Sequence, residues 1–182
     1  MDDKTRIENV LKKISRFDFY INSTNTKSSI IIAWNGTVIG TIFLKYHQVT
    51  SLYVIHLWSY YLSNVLLVLI GIASIFSIAY VFDVIYPFLK EKDNIKKDED
   101  NGNGSESLFF FGSIAKLSCK KYIEKEKKTE GKDVLEDVLE QSHILAKGLF
   151  DKMNNLRLSI NAIKFQLFLI CLLIILKGVI FY

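Results

Sequence analysis

Lys116, Lys120, Lys121, Lys125, Lys127 and Lys128 crowd one short stretch past the middle of the chain. Ammonium groups at this density can meet phosphate, whether a small ligand or a lipid headgroup carries it. Glu124, Glu126 and Glu130 partly neutralise them, so a solvated helix face is a third reading. Just upstream, Leu108-Phe-Phe-Phe111 supplies three consecutive rings that cannot share one narrow helix face. Such a cluster calls for burial on several sides, a membrane interface or a stacked ligand base. Phe111, Lys116, Lys120 and Lys121 are therefore the candidate ligand-binding residues. Catalytic patterns are a different matter. His143 is the only histidine besides His47 and His56, and it sits among leucines at helical spacing. The sequence shows no Cys/His metal spacing, no Gly-rich phosphate loop and no Ser/His/Asp set. It predicts no enzyme, no metal site and no cofactor.

The elements that must position these groups follow from hydropathy. Half of the 182 residues are hydrophobic and 23% are charged, which requires the apolar residues to be segregated. Three apolar stretches result: Ser28–Tyr46, Leu57–Val81 and Phe165–Tyr182. Each approaches the ~20 residues that cross a ~30 Å hydrocarbon layer as a helix. Of 23 Lys/Arg, only Lys45 and Lys177 fall on the side that the stretches set apart. The positive-inside rule then places the N-terminus and Leu89–Lys164 in the cytoplasm, and the C-terminus outside. Tyr46, Tyr53, Trp58, Tyr60 and Tyr61 flank the short external loop, as interfacial rings do. The polar start argues against a cleavable signal peptide. Cys119 and Cys171 lie in a charged and an apolar stretch, so no disulfide is expected.

The expected fold is an all-α membrane protein with three transmembrane helices and a helical cytoplasmic module. Its parts are a cytoplasmic amphipathic helix at 1–27, a first span at 28–46, an external loop at 47–56, and a second span at 57–86. A cytoplasmic sensor and coupling region at 87–164 and a third span at 165–182 complete it. Ile7, Val10, Leu11, Ile14 and Phe17 give the first helix an apolar stripe, with Lys12, Lys13 and Arg16 between. Glu91–Glu106 reads as a flexible linker. From Asp133, a candidate cap, apolar residues recur in steps of three and four straight into the third span. One helix of roughly 70 Å is expected there, continuous between module and membrane. Within the first span, Gly36 and Gly40 give Gly-x-x-x-Gly beside Asn35; these three are the candidate helix-packing residues. The spans hold no deep carboxylate, which disfavours a proton relay or ion-selective transporter.

Three segments, in order, carry a resemblance. Asn25-Thr-Lys-Ser-Ser29 leads into Ile-Ile-Ile-Ala-Trp-Asn-Gly36. Pro87 is followed, after the charged linker, by Ser107-Leu-Phe-Phe-Phe-Gly-Ser-Ile-Ala-Lys116. Glu136-Asp-Val-Leu-Glu-Gln141 runs on through Lys152. With these the chain resembles the transmembrane effector family of Pycsar antiphage systems from Thr24 onward. Asn25 stands where that family has an acid, and Ser28 where it has Ala. The resemblance implies an antiphage effector of the bacterial inner membrane. Its ligand would be a cyclic pyrimidine mononucleotide made by a cognate cyclase, cyclic CMP ahead of cyclic UMP. Binding would drive homo-oligomerisation in the bilayer, loss of membrane integrity and abortive infection. Nucleic acid is not an expected partner. A constitutive membrane scaffold and a holin-like toxin without a nucleotide are the alternatives.

Overall fold

The computed structural model describes residues 2–51, 57–86 and 107–181. Five helices make up the described residues: α1 (Asp3–Ser51), α2 (Leu57–Ile85), α3 (Phe111–Lys116), α4 (Cys119–Lys128) and α5 (Gly131–Phe181). No strand occurs among them. Pro87, the linker at 91–106 and the tip of the 47–56 loop lie outside the described residues.

The two long helices differ from the sequence expectation in their ends. The amphipathic helix expected at 1–27 and the span expected at 28–46 run together as one 49-residue helix, which also takes in 47–51. The polar run at 22–29 does not break it, because its hydroxyls bond back along the helix. Ser28 Oγ donates to the Thr24 carbonyl at 2.9 Å and Ser29 Oγ to that of Asn25 at 3.2 Å. The chain's single proline, Pro87, falls in neither helix, so nothing forces a stop. α5 begins at Gly131, ahead of Asp133. Asp133 is thus not the residue before the first turn. It sits within that turn, and its Oδ2 accepts from the Glu130 backbone N–H at 3.3 Å, the reach-back half of a capping box.

The chain forms two compact units. One draws on Met1–Asn22 and Pro87–Phe150, the other on Ser23–Tyr86 and Asp151–Tyr182. In the first unit, Val10 of α1 and Val138 and Ile144 of α5 are buried, with Ser107, Ser113 and Gln141. In the second, α1 and α2 bury seams at steps of three and four, and α5 at steps of three, four and seven. The seams are Ser28, Ile31 and Asn35 on α1; Ser63, Leu66, Ile70, Ser74, Ser77, Val81 and Val84 on α2; and Lys152, Leu156, Ser159, Gln166 and Leu169 on α5. Such spacing keeps one narrow stripe facing its neighbours along a nearly parallel bundle. Two apolar clusters fill this unit. Ile31, Val81, Val84 and Leu156 form one; Leu66, Ile70 and Leu169, joined by Val38 and Ile42, form the other. The order of partners makes α2 antiparallel to both α1 and α5, as the expected topology requires. Three helices are long and apolar enough to cross a membrane: Asp3–Gln48, Leu57–Ile85 and Gly131–Val179.

Candidate functional site

Within the apolar unit, polar side chains meet in two layers, each drawing one residue from each of the three helices. In the first layer Asn35 Nδ2 of α1 donates to Ser77 Oγ of α2 at 3.0 Å. Ser77 Oγ lies 2.8 Å from Ser159 Oγ of α5, and Ser159 Oγ donates to the Ser77 carbonyl at 3.0 Å. In the second layer Gln166 of α5 is the hub. Its Nε2 donates to Ser74 Oγ of α2 at 2.6 Å, and its Oε1 accepts from Trp34 Nε1 of α1 at 2.9 Å. Hydrocarbon offers no competing partner, so these groups must find one another or go unsatisfied. The pairing fixes the register of all three helices. Further along, Tyr46 OH donates to Asn64 Oδ1 at 2.5 Å. At the other end, buried Lys152 donates from Nζ to the carbonyls of Val84 and Tyr86, the latter at 3.1 Å. It thereby caps the end of α2, where carbonyls lack helical partners. Burial pulls its amine below the ordinary lysine value of 10.5.

The three candidate packing residues separate in the structure. Asn35 is fully buried and bonded as above. Gly36 is exposed and Gly40 half-buried, and a methyl group added at either meets nothing within 4 Å. The close approach inside this chain therefore runs through Asn35 and the serines, not through the glycines.

In the other unit the segment after residue 106 is docked onto α5 by two side chains. Ser107 Oγ accepts from the backbone N–H groups of Phe109 and Phe110 at 3.1 and 3.0 Å, and from Gln141 Nε2 at 3.2 Å. Asp137 Oδ2 accepts from the Leu108 N–H at 2.8 Å. The Ser107 turn aims the Phe110 ring so close to Gly112 that an added Cβ would lie 2.5 Å from it. A larger residue there would force the Phe110 ring to move, a packing reason for the Phe-Gly step. The two downstream segments that carried the resemblance, around Ser107–Gly112 and Asp137–Gln141, are thus halves of one contact.

The candidate ligand residues ride on this docked segment. Phe111 is 66% exposed, its ring centroid 5.0 Å from that of Phe110. Lys116 ends α3, and Lys120 and Lys121 lie on α4; all three are exposed. On α4 the charge is partly spent locally, Lys128 pairing with Glu124 at 2.6 Å.

A cavity of about 580 Å³ lies elsewhere in this unit, between the first turns of α1 and the start of α5. Arg6, Lys12, Lys13 and Arg16 supply a cationic wall, with Asn9 among them. Val10, Leu135 and Leu139 supply an apolar one. None of the four candidate ligand residues lines it. The sequence pattern showed Lys12, Lys13 and Arg16 only as the polar side of an amphipathic helix. The overlooked signal was the spacing of Arg6, Asn9, Lys13 and Arg16, steps of three and four that place them on one helix face, with Glu8 off those steps. Among the described residues no cluster of His, Cys, Asp and Glu could hold a metal ion.

Three helices long and apolar enough to cross a membrane, continuous with a polar helical unit, define a membrane protein. The family model for the Pycsar effector protein domain matches residues 9–179, so the chain belongs to that family. It is accordingly a membrane effector of antiphage defence, in a family that is not catalytic. No curated protein and no solved structure matches the chain.

Proposed function

We propose that the chain is an effector of the bacterial inner membrane that senses a cyclic pyrimidine mononucleotide, cyclic CMP ahead of cyclic UMP. Its N-terminus and polar unit face the cytoplasm, where the Lys/Arg excess belongs, and its C-terminus faces the periplasm. Ligand binding favours one of two arrangements of the helices, and the favoured one assembles with further copies and impairs the membrane. Infection then aborts with the cell.

The observation that carries this reading is the family match from residue 9 to 179, which takes in both units. The helices add a physical route. α1 and α5 each contribute residues to the polar unit and to the three-helix seam. A ligand that reorders one end of such a helix acts on a polar register at the other. Titrating cyclic CMP and cyclic UMP onto the detergent-solubilised chain tests the proposal, with oligomer size and liposome leakage as readouts. Growth of the oligomer and leakage with one nucleotide is the expected result. No binding and no change with either would remove the sensor and leave a constitutive scaffold.

A further inference from the structure

We propose that the groove between the first turns of α1 and the start of α5 is the binding site for a phosphate-bearing ligand of nucleotide size. The proposal rests on the cyclic-nucleotide reading above and assigns its site to residues away from the Lys116–Lys121 segment. The cavity's volume, about 580 Å³, lies within the ~300–1,000 Å³ of small-molecule sites. Its two walls match the two halves of a nucleotide. Arg6, Lys12, Lys13 and Arg16 face it without a carboxylate among its lining residues. None of these four makes an ion pair with the described residues. A phosphate entering there meets cations that need not first give up a partner, and guanidinium forks can hold two of its oxygens at once. Val10, Leu135 and Leu139 offer the flat side of a base or sugar an apolar surface. Asn9 sits on the cationic wall with an amide oxygen and an amide NH₂ side by side, one acceptor and two donors. A pyrimidine edge presents the complementary pair. The groove cations are exposed, as are those from Lys116 to Lys128, but the latter stretch is mixed with acids, Lys128 being paired with Glu124.

An anionic phospholipid headgroup carries the same phosphate charge, so the test must separate the two sources. The full chain in detergent is titrated by calorimetry with cyclic CMP and cyclic UMP. A parallel series uses mixed micelles with and without phosphatidylglycerol. The variants are Arg6→Gln/Arg16→Gln, Leu139→Glu, and the control Lys120→Gln/Lys121→Gln, each checked for helix content. The wild type is expected to bind one nucleotide. Both groove variants should weaken it at least tenfold, as loss of charge-assisted hydrogen bonds does, and the control less than twofold. Equal nucleotide binding by wild type and folded groove variants overturns the site and leaves the sensor reading standing. Phosphatidylglycerol binding that the groove variants lose, with no nucleotide bound, supports the groove as a phosphate site and removes the sensor reading. Binding of neither ligand overturns both.

Discussion

The three-helix seam and the polar unit use the same kinds of side chain for opposite ends. In the seam, Asn35, Ser74, Ser77, Ser159 and Gln166 are fully buried and bonded to one another. Bonds between the helices set register, while Ser74 Oγ also donates within its own helix and Asn35 Oδ1 stays buried without a hydrogen-bond partner. In the polar unit, Ser107, Gln141 and Oδ2 of Asp137 likewise hold one segment, while Asp137 Oδ1 is buried without a hydrogen-bond partner. Arg6, Lys12, Lys13 and Arg16 stand at an open groove instead. The lesson is that hydrogen-bond supply, more than residue type, separates structural from available polar groups. A buried polar side chain without its partner costs about 1–3 kcal/mol, so partners are found wherever the fold can provide them.

The comparison breaks most sharply at its two hubs. Ser107→Ala removes the acceptor of two backbone N–H groups and of Gln141. It should cost about 1–3 kcal/mol and free the 107–117 segment, seen as faster amide exchange at Phe109 and Phe110. Unchanged protection there would mean that Asp137 alone holds the segment. Gln166→Leu leaves Trp34 Nε1 and Ser74 without their partner in the second layer. A smaller loss is expected, about 0.6–1.7 kcal/mol, since membrane helices find substitutes more readily. Thermal unfolding in detergent measures it, and a loss larger than that for Ser107→Ala would reverse the ranking of the two regions.

Lys152 sharpens the comparison through pH. Its amine titrates below 10.5 in the fold because burial disfavours the charged form. Between the folded value and 10.5 the unfolded chain binds more protons, so stability rises with pH in that window. Below the folded value the penalty is fully present. The wild type should therefore gain thermal stability over Lys152→Met as pH climbs from neutral toward 10.5. Parallel profiles would show an amine that stays solvated. The smallest effect on the single chain is expected of Gly36→Leu, because nothing lies within 4 Å of an added Cβ. Monomer unfolding should hardly move. If the Gly36–Gly40 face meets another copy, crosslinking and toxicity should fall at equal expression; unchanged toxicity removes that face from assembly.

Much of the architecture is written locally. Charge segregation and apolar length mark the three spans, and steps of three and four with no proline carry α5 from module to membrane. The resemblance segments around Ser107–Gly112 and Asp137–Gln141 are also plain in the chain, though not that they touch. Two readings stop short. The amphipathic helix at 1–27 and the span at 28–46 were expected as two parts, and they run on as one helix through the Asn, Ser and Thr of 22–29. Whether such hydroxyls cap or bond backwards depends on surroundings that composition does not contain. Gly36 and Gly40 likewise have the spacing of a packing face, while the partner helices here meet the Asn35 side.

The sequence by itself determined helix content, the three apolar stretches, their charge asymmetry and the family, because each depends on residue type and short-range period. Only the tertiary structure decided which polar groups find partners. It put Gln166 between Trp34 and Ser74, Lys152 on the end of α2, and Ser107 against Gln141. It also brought Leu135 and Leu139 opposite the Arg6–Arg16 face. Those pairings join residues far apart in the chain, and no local periodicity specifies which distant donor will arrive at a given acceptor.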